Sequence, residues 1–399
     1  GSIEYGPIRC GAGGWAVAPV NLTGVLFVIQ RMESLATLFM LLGLLAYWHG
    51  RYRLASGQRA GLRWMWGGIL VGGGLGVMAK ETAVMLPVYA VLIEWLFFGF
   101  GPPRSAERGA VVRLFVALLL LPAFAGLAWL LPGVFSNPEF ANHPYNVYER
   151  LWTETRVLWH YLAWIVAPHP GALSLYHDAF PISRGPLTPW TTLVASIGLA
   201  LLIIAAFLGR RRWRLVSFGV FWFLVMHLLV STFLNLELVY EHRNYLGSFG
   251  ILLALFALTL DARLRGVIIA RRAFVVAMIA LFGFLTLLRA NTWGDPVRLA
   301  YFEATRHVDS PRASNALGQL LTVINAPGTP GYQLGLSQLR DAAALPNASL
   351  VPVQALVFEA AKHGRPLEPG WWEAMRAHVS EHPLTSQDLN ALYTLINAT

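Results

Sequence analysis

The 399 residues are 56% hydrophobic and only 13% charged, with a mean hydropathy of +0.53; a soluble domain carries about 25% charged residues, so an ordinary soluble fold is excluded in favour of a polytopic membrane protein. The net charge of +9 would suggest nucleic acid in a soluble chain, but the arginines cluster between apolar runs as in cytoplasmic loops, and no nucleic-acid partner is expected. The one cysteine, Cys10, excludes an intrachain disulfide.

The first ten residues, including Glu4, lack the charged-then-apolar pattern of a signal peptide, and the chain reads as starting partway into a longer protein. Trp15–Ile29 is apolar but broken by Pro19 and Asn21, as expected for a segment at the membrane surface or entering it obliquely. Gln30-Arg31-Met32-Glu33 opens a span over Ser34–Trp48. A glycine-rich span, Trp64–Met78, follows; small residues let helix backbones approach in lipid. Further spans are expected over Ala83–Phe100, Leu114–Leu131, Trp190–Leu208, Leu215–Leu234, Leu246–Leu260 and Val267–Leu288. That makes about eight runs near the length that crosses a bilayer. The long connection 133–189 is rich in Pro, His, Trp and Tyr. Within it Val147–Val166 is amphipathic, which fits a helix resting in the interface.

Every second link is Arg-rich: 51–63, 104–113, 210–214 and 263–272. The positive-inside rule places these in the cytoplasm. The Ala79-Lys80-Glu81-Thr82 turn, the long connection and the 235–245 turn then share the outer side, with the C-terminal region. From about Ala290 the chain turns polar, so the domains are 1–289, in the membrane, and 290–399, outside it. The second reads as helical hairpins over Ser310–Ile324, Gln333–Ala344, Leu350–His363, Gly370–Glu381 and Ser386–Ile396, resembling tetratricopeptide repeats.

Ionisable residues at helix junctions are costly against lipid and usually mark a site. Glu237, Glu241, His242, Arg243 and Tyr245 crowd one short turn between two apolar runs. Arg243 suits phosphate oxygens; Glu241 and His242 are the residue types that act as general bases. Lys80 can hold phosphate as a point charge, oriented by Glu81. Arg31 and Glu33 can pair with each other. His242 has no partner at metal-ligand spacing, so no metal site is expected from spacing. His160, His169, His177 and Asp178 are scattered and read as structural, and 142–145 and 174–178 as ordered loop segments. Asn21, Asn347 and Asn397 begin glycosylation-acceptor triplets, a signal too short to carry weight.

Together these stretches resemble a known family. Gln30-Arg31-Met32-Glu33-Ser34-Leu35-Ala36 is similar to the "QRM-x-S-L-A" segment of polytopic GT-C superfamily glycosyltransferases with C-terminal tetratricopeptide repeats. Their animal members are the transmembrane and tetratricopeptide repeat O-mannosyltransferases. Lys80-Glu81 resembles the family's "KE" turn. Leu236–Leu246 resembles the bacterial relatives' "LEL-x-x-EHRNYL", and Arg289–Pro296 the "RN-x-x-W" link into the repeats. The resemblance runs from about Trp15 to Gln319. It implies a bacterial inner-membrane enzyme that passes a sugar from a polyprenyl-phosphate donor to a periplasmic protein or glycan acceptor. On that reading Lys80 and Arg243 hold the leaving phosphate, Glu81, Glu237 and Glu241 orient those cations, and Tyr245 and Arg31 complete the substrate-binding set, Arg31 equally as a structural anchor. The family's first span and the acid after it would precede Gly1, so the chain as written is expected to bind donor yet lack turnover. No cofactor is implied beyond the lipid-linked donor, and a divalent metal is left open. A polysaccharide ligase or polymerase, or a membrane scaffold with protein-binding repeats, are the other readings.

Overall fold

The computed structural model describes residues 5–102, 105–136, 143–261, 263, 267–381 and 383–397. Glu4, Arg104, Asn142, Arg265 and the end of the Asn397 triplet lie outside them. Among the described residues the chain is all-α, without a strand. It divides into two compact units: Gly1–Ser136, Arg150–Leu173 and Ser183–Arg289 form one, and Asn137–Glu149, Ser174–Ile182 and Ala290–Thr399 the other.

The helices up to Trp293 are α1 (Tyr5–Ala16), α2 (Arg31–Ala55), α3 (Gly61–Ala79), α4 (Glu81–Phe98), α5 (Ala106–Gly133), α6 (Val147–Val166), α7 (Thr191–Gly209), α8 (Arg214–Val230), α9 (Tyr245–Thr259) and α10 (Ile268–Trp293). Five are long and apolar enough to cross a membrane: α2 with the turn before it, α4, α5, α7 and α10. The other three expected spans fall short for separate reasons. In α3 seven glycines dilute the hydropathy. Helices α8 and α9 have 17 and 15 residues, about 26 and 23 Å at 1.5 Å per residue, against a hydrocarbon core of about 30 Å. The run expected to reach Leu234 stops at Val230, with Ser231 capping the helix and the mixed 231–240 stretch irregular.

Large apolar side chains stand on the outside of the spans, Phe124 76% and Trp129 81% exposed. A water-facing surface would bury such residues; a lipid-facing one has no reason to. Packing between helices relies on absent side chains instead. A Cβ on Gly43 of α2 would lie 2.6 Å from the Gly68 carbonyl oxygen of α3, and one on Gly68 the same distance from the Gly43 carbonyl. Gly219 of α8 and Gly250 of α9 meet in the same way.

Two features depart from the sequence expectation. Residues 5–16 form a helix packed along α9, with Gly11 against Leu253 and Gly14 against Phe256. Arg51, expected in a solvated link, is fully buried between Glu94 and Glu107 (2.7 Å to the latter) and under the Phe98 ring at 4.7 Å. Glu94 and Phe98 bound a π-helical turn, the kind of helix irregularity that re-aims side chains.

The second unit comprises α11 (Pro296–Arg306), α12 (Pro311–Ile324), α13 (Pro330–Ala344), α14 (Val351–Lys362), α15 (Pro369–Glu381) and α16 (Ser386–Asn397). Asp295, Ser310 and Thr329 cap their helices from the residue before a proline, satisfying end donors where proline supplies none. Helix α11 has no counterpart among the expected helices. Apolar residues of α13 and α14, Tyr332, Leu336, Leu339 and Leu356, form one core. Buried Asp388 ties α16 to α14 by accepting from the Leu350 amide at 2.7 Å.

Candidate functional site: a buried ionic cluster at one end of the spans

The short helical turn Glu241–Asn244 starts α9, and all four of its residues are buried. Around it a set of ion pairs brings distant stretches together. Glu241 receives the Arg289 guanidinium, 3.1 Å to each carboxylate oxygen. Arg289 also donates to the Pro19 carbonyl, tying the end of α10 to the irregular segment after α1. Lys80, at the end of α3, pairs with Glu33 at 2.8 Å and reaches the Gln30 side chain at 3.3 Å. Thr82 donates to the same Glu33. In α6, Arg150 pairs with Glu154 at 3.0 Å and donates to the Val230 and Thr232 carbonyls at 2.9 and 3.0 Å. A guanidinium there satisfies carbonyls that the end of α8 leaves open.

Arg243 differs from these. It is buried, donates to the Leu238 carbonyl at 3.0 Å and lies 5.3 Å from the Tyr240 ring centre. Among the described residues no carboxylate stands within ion-pair distance of it. Three cations, Lys80, Arg150 and Arg289, are matched by Glu33, Glu154 and Glu241; Arg243 is left over as a positive charge. His242 adds none. Burial, with Lys80 and Arg243 nearby, pushes its imidazole down to about 2, so it is neutral near pH 7. Both cations act on the one His242 ring. Burial pushes the Glu154 carboxyl up, with Arg150 and Arg243 opposing. Burial likewise pushes the Tyr161 hydroxyl up to about 12, with Arg243 opposing; that hydroxyl accepts from the Tyr240 amide at 3.0 Å.

The residues singled out from sequence separate into two groups. Lys80, Glu241, His242 and Arg243 are buried together. Tyr245 flanks them, half-buried, its ring 5.3 Å from that of Trp15. Glu81 and Glu237 are exposed. Arg31 is exposed and donates to the Val25 carbonyl at 2.9 Å. Two expected pairings are replaced. Glu33 binds Lys80 rather than Arg31, and Glu33 rather than Glu81 holds Lys80 in place. Neither expected base is poised as one: Arg289 occupies both oxygens of Glu241, and an imidazole titrating near 2 takes up little proton at neutral pH. The Asn21 side chain is buried and bonded to the Trp15 carbonyl at 2.8 Å, which removes it as a glycosylation acceptor.

Sequence reasoning missed Arg150, Glu154 and Arg289 as members of the cluster. The first two stand four residues apart on an amphipathic helix, the spacing of a helical ion pair. That signal is present in the sequence, but the same amphipathic pattern fits a helix resting in the interface. No group of three or more His, Cys, Asp or Glu among the described residues could hold a metal ion. Comparisons with protein families, curated proteins and solved structures give no match.

Proposed function

We propose that the first unit is a membrane glycosyltransferase core of the GT-C type, which binds a polyprenyl-phosphate-linked sugar at the Arg243–Lys80 cluster and passes the sugar to a periplasmic protein or glycan. The observation that carries this reading is the buried Arg243, which has no carboxylate within ion-pair distance among the described residues and acts together with Lys80 on the His242 ring. A buried charge without an ion-pair partner is costly, and a phosphate would complete it with charge-assisted hydrogen bonds. In the transfer the acceptor hydroxyl oxygen attacks the anomeric carbon as the glycosyl–phosphate bond breaks, polyprenyl phosphate leaves, and the hydroxyl proton passes to that phosphate. The two cations take up charge developing on the leaving phosphate.

The topology belongs to the same proposal. Counting α3, α8 and α9 with the five long apolar helices gives eight spans, with the cluster on the non-cytoplasmic side of a bacterial inner membrane. Pro296 and Pro330 open helices 34 residues apart (330 − 296), the tetratricopeptide spacing. This supports reading the second unit as repeat-like hairpins.

The test is binding of undecaprenyl phosphate to the full chain in detergent. Arg243→Gln should weaken it about 10- to 100-fold, the range for one charged hydrogen-bonding group. Unchanged affinity in a folded Arg243→Gln protein would remove the proposal. A folded wild-type chain that binds no lipid phosphate, while its second unit captures a partner protein, would favour the scaffold reading.

A further inference from the structure

A groove of about 430 Å³ runs along the outside of the α2–α3 pair, and no residue of the ionic cluster lines it. Its walls are apolar, with Phe39 and Leu42 on α2 and Val71 and Leu75 on α3. Gly67 and Gly68 lie between, and Arg63 and Trp64 close one end. The two floor glycines differ. Gly68 is required by the helix crossing, because a Cβ there would strike the Gly43 carbonyl. A Cβ on Gly67 would meet nothing within 4 Å. Packing inside the chain therefore gives no account of the space in front of Gly67.

The groove has a length, a polarity and a charge. From Arg63 to Leu75 are 12 residues of helix, which rise about 18 Å at 1.5 Å each. One leaflet of hydrocarbon is about 15 Å deep, half of a core of about 30 Å. Arg63 and Trp64 are both exposed, at the end that meets the Arg-rich link. There an arginine reaches headgroups and a tryptophan ring sits at the boundary. We propose that this groove holds one acyl chain of an anionic phospholipid, from the leaflet that meets the 51–63 link, with the Arg63 guanidinium on the lipid phosphate.

The experiment is native mass spectrometry of the full detergent-purified chain, titrated with phosphatidylglycerol or with phosphatidylcholine of the same acyl chains. The wild type should retain one phosphatidylglycerol, with about a fivefold preference over phosphatidylcholine, the effect of one arginine at an anionic surface. Arg63→Gln should abolish the preference. Gly67→Phe fills the groove without meeting another residue's atoms at its Cβ, and should abolish retention of either lipid. Retention by a folded Gly67→Phe protein overturns the groove as the site, whatever Arg63→Gln does. A preference that survives Arg63→Gln overturns the headgroup assignment. Should Gly67→Phe not fold, Gly67→Val is read in its place by the same criteria.

Discussion

Lys80 and Arg243 differ in what their removal leaves behind. Without Lys80 the buried Glu33 carboxylate faces Thr82 alone; without Arg243 no matched carboxylate is exposed. Breaking a buried ion pair from one side costs about 3–5 kcal/mol, whereas replacing both members by neutral groups can cost little. We therefore expect Lys80→Met to destabilise the detergent-solubilised protein strongly, and Lys80→Met with Glu33→Gln to recover most of the loss. Additive losses in that double-mutant cycle, read by thermal unfolding, would refute the pairing. His242 gives a pH prediction. Its folded value lies at about 2, below the ordinary 6.5, so below pH 6.5 the unfolded chain binds a proton that the folded chain does not. Its contribution is complete above pH 6.5 and is lost as the pH falls toward 2. The loss is about 1.4 kcal/mol per unit, or about 2 kcal/mol by pH 5. The wild type should lose that much more stability between pH 7 and 5 than His242→Asn; equal losses would place His242 in water. At this scale the sequence shows which residues are polar in an apolar context, which is how Lys80, His242 and Arg243 stand out. Pairing is set by tertiary approach: nothing in the order of residues tells Glu33 to choose Lys80 over Arg31, two positions away.

Helices were largely legible, since an apolar run of bilayer length between arginine clusters has few alternatives. The expected Val147–Val166 segment and the α6 helix share the same bounds. Failures have physical causes. Tyr5–Ala16 carries four glycines and a proline, poor helix formers, and is held by α9 rather than by its own propensity. Helix α11 has only a short, half-polar pattern, with its start set by Asp295. The glycines of α3 look alike in sequence yet carry different loads. Gly68→Val, driving a side chain into the Gly43 carbonyl, should lower the stability of the solubilised protein by about 1–3 kcal/mol, the range for overpacking. Gly67→Ala, one residue earlier and facing open space, should change it by less than about 0.5 kcal/mol. Thermal unfolding of both variants separates them. Equal losses would mean that the α2–α3 crossing is not what singles out Gly68, since alanine and valine are both better helix formers than glycine.

For the molecule as a whole the open quantity is the number of crossings, and counting them by parity makes it measurable. Gln58, Leu187 and Arg211 are all exposed. Between Gln58 and Leu187 lie α3, α4, α5 and the amphipathic α6, which is not counted as a span; between Gln58 and Arg211 lie these and α7. If α3 crosses, Leu187 is three crossings from Gln58 and on the opposite side, while Arg211 is four away and on the same side. If only the five long apolar helices cross, both parities invert: Leu187 is then two crossings away, and Arg211 three. Single cysteines at these positions in a Cys10→Ser background, treated with a membrane-impermeant maleimide before and after lysis, read the sides directly. We expect Leu187→Cys to label in intact cells, and Gln58→Cys and Arg211→Cys only after lysis, because the Arg-rich links belong on the cytoplasmic face. Labelling of Leu187→Cys and Gln58→Cys from one side would remove α3 from the membrane, and the groove proposed on its outer face would have no leaflet to face. The glycine content that weakens its apolar signal makes α3 the helix on which the count turns. Its tight crossing with α2 argues for the eight-span count, since α2 is itself long and apolar enough to cross and the hairpin joining them is short, with both partners packed side by side along most of their length.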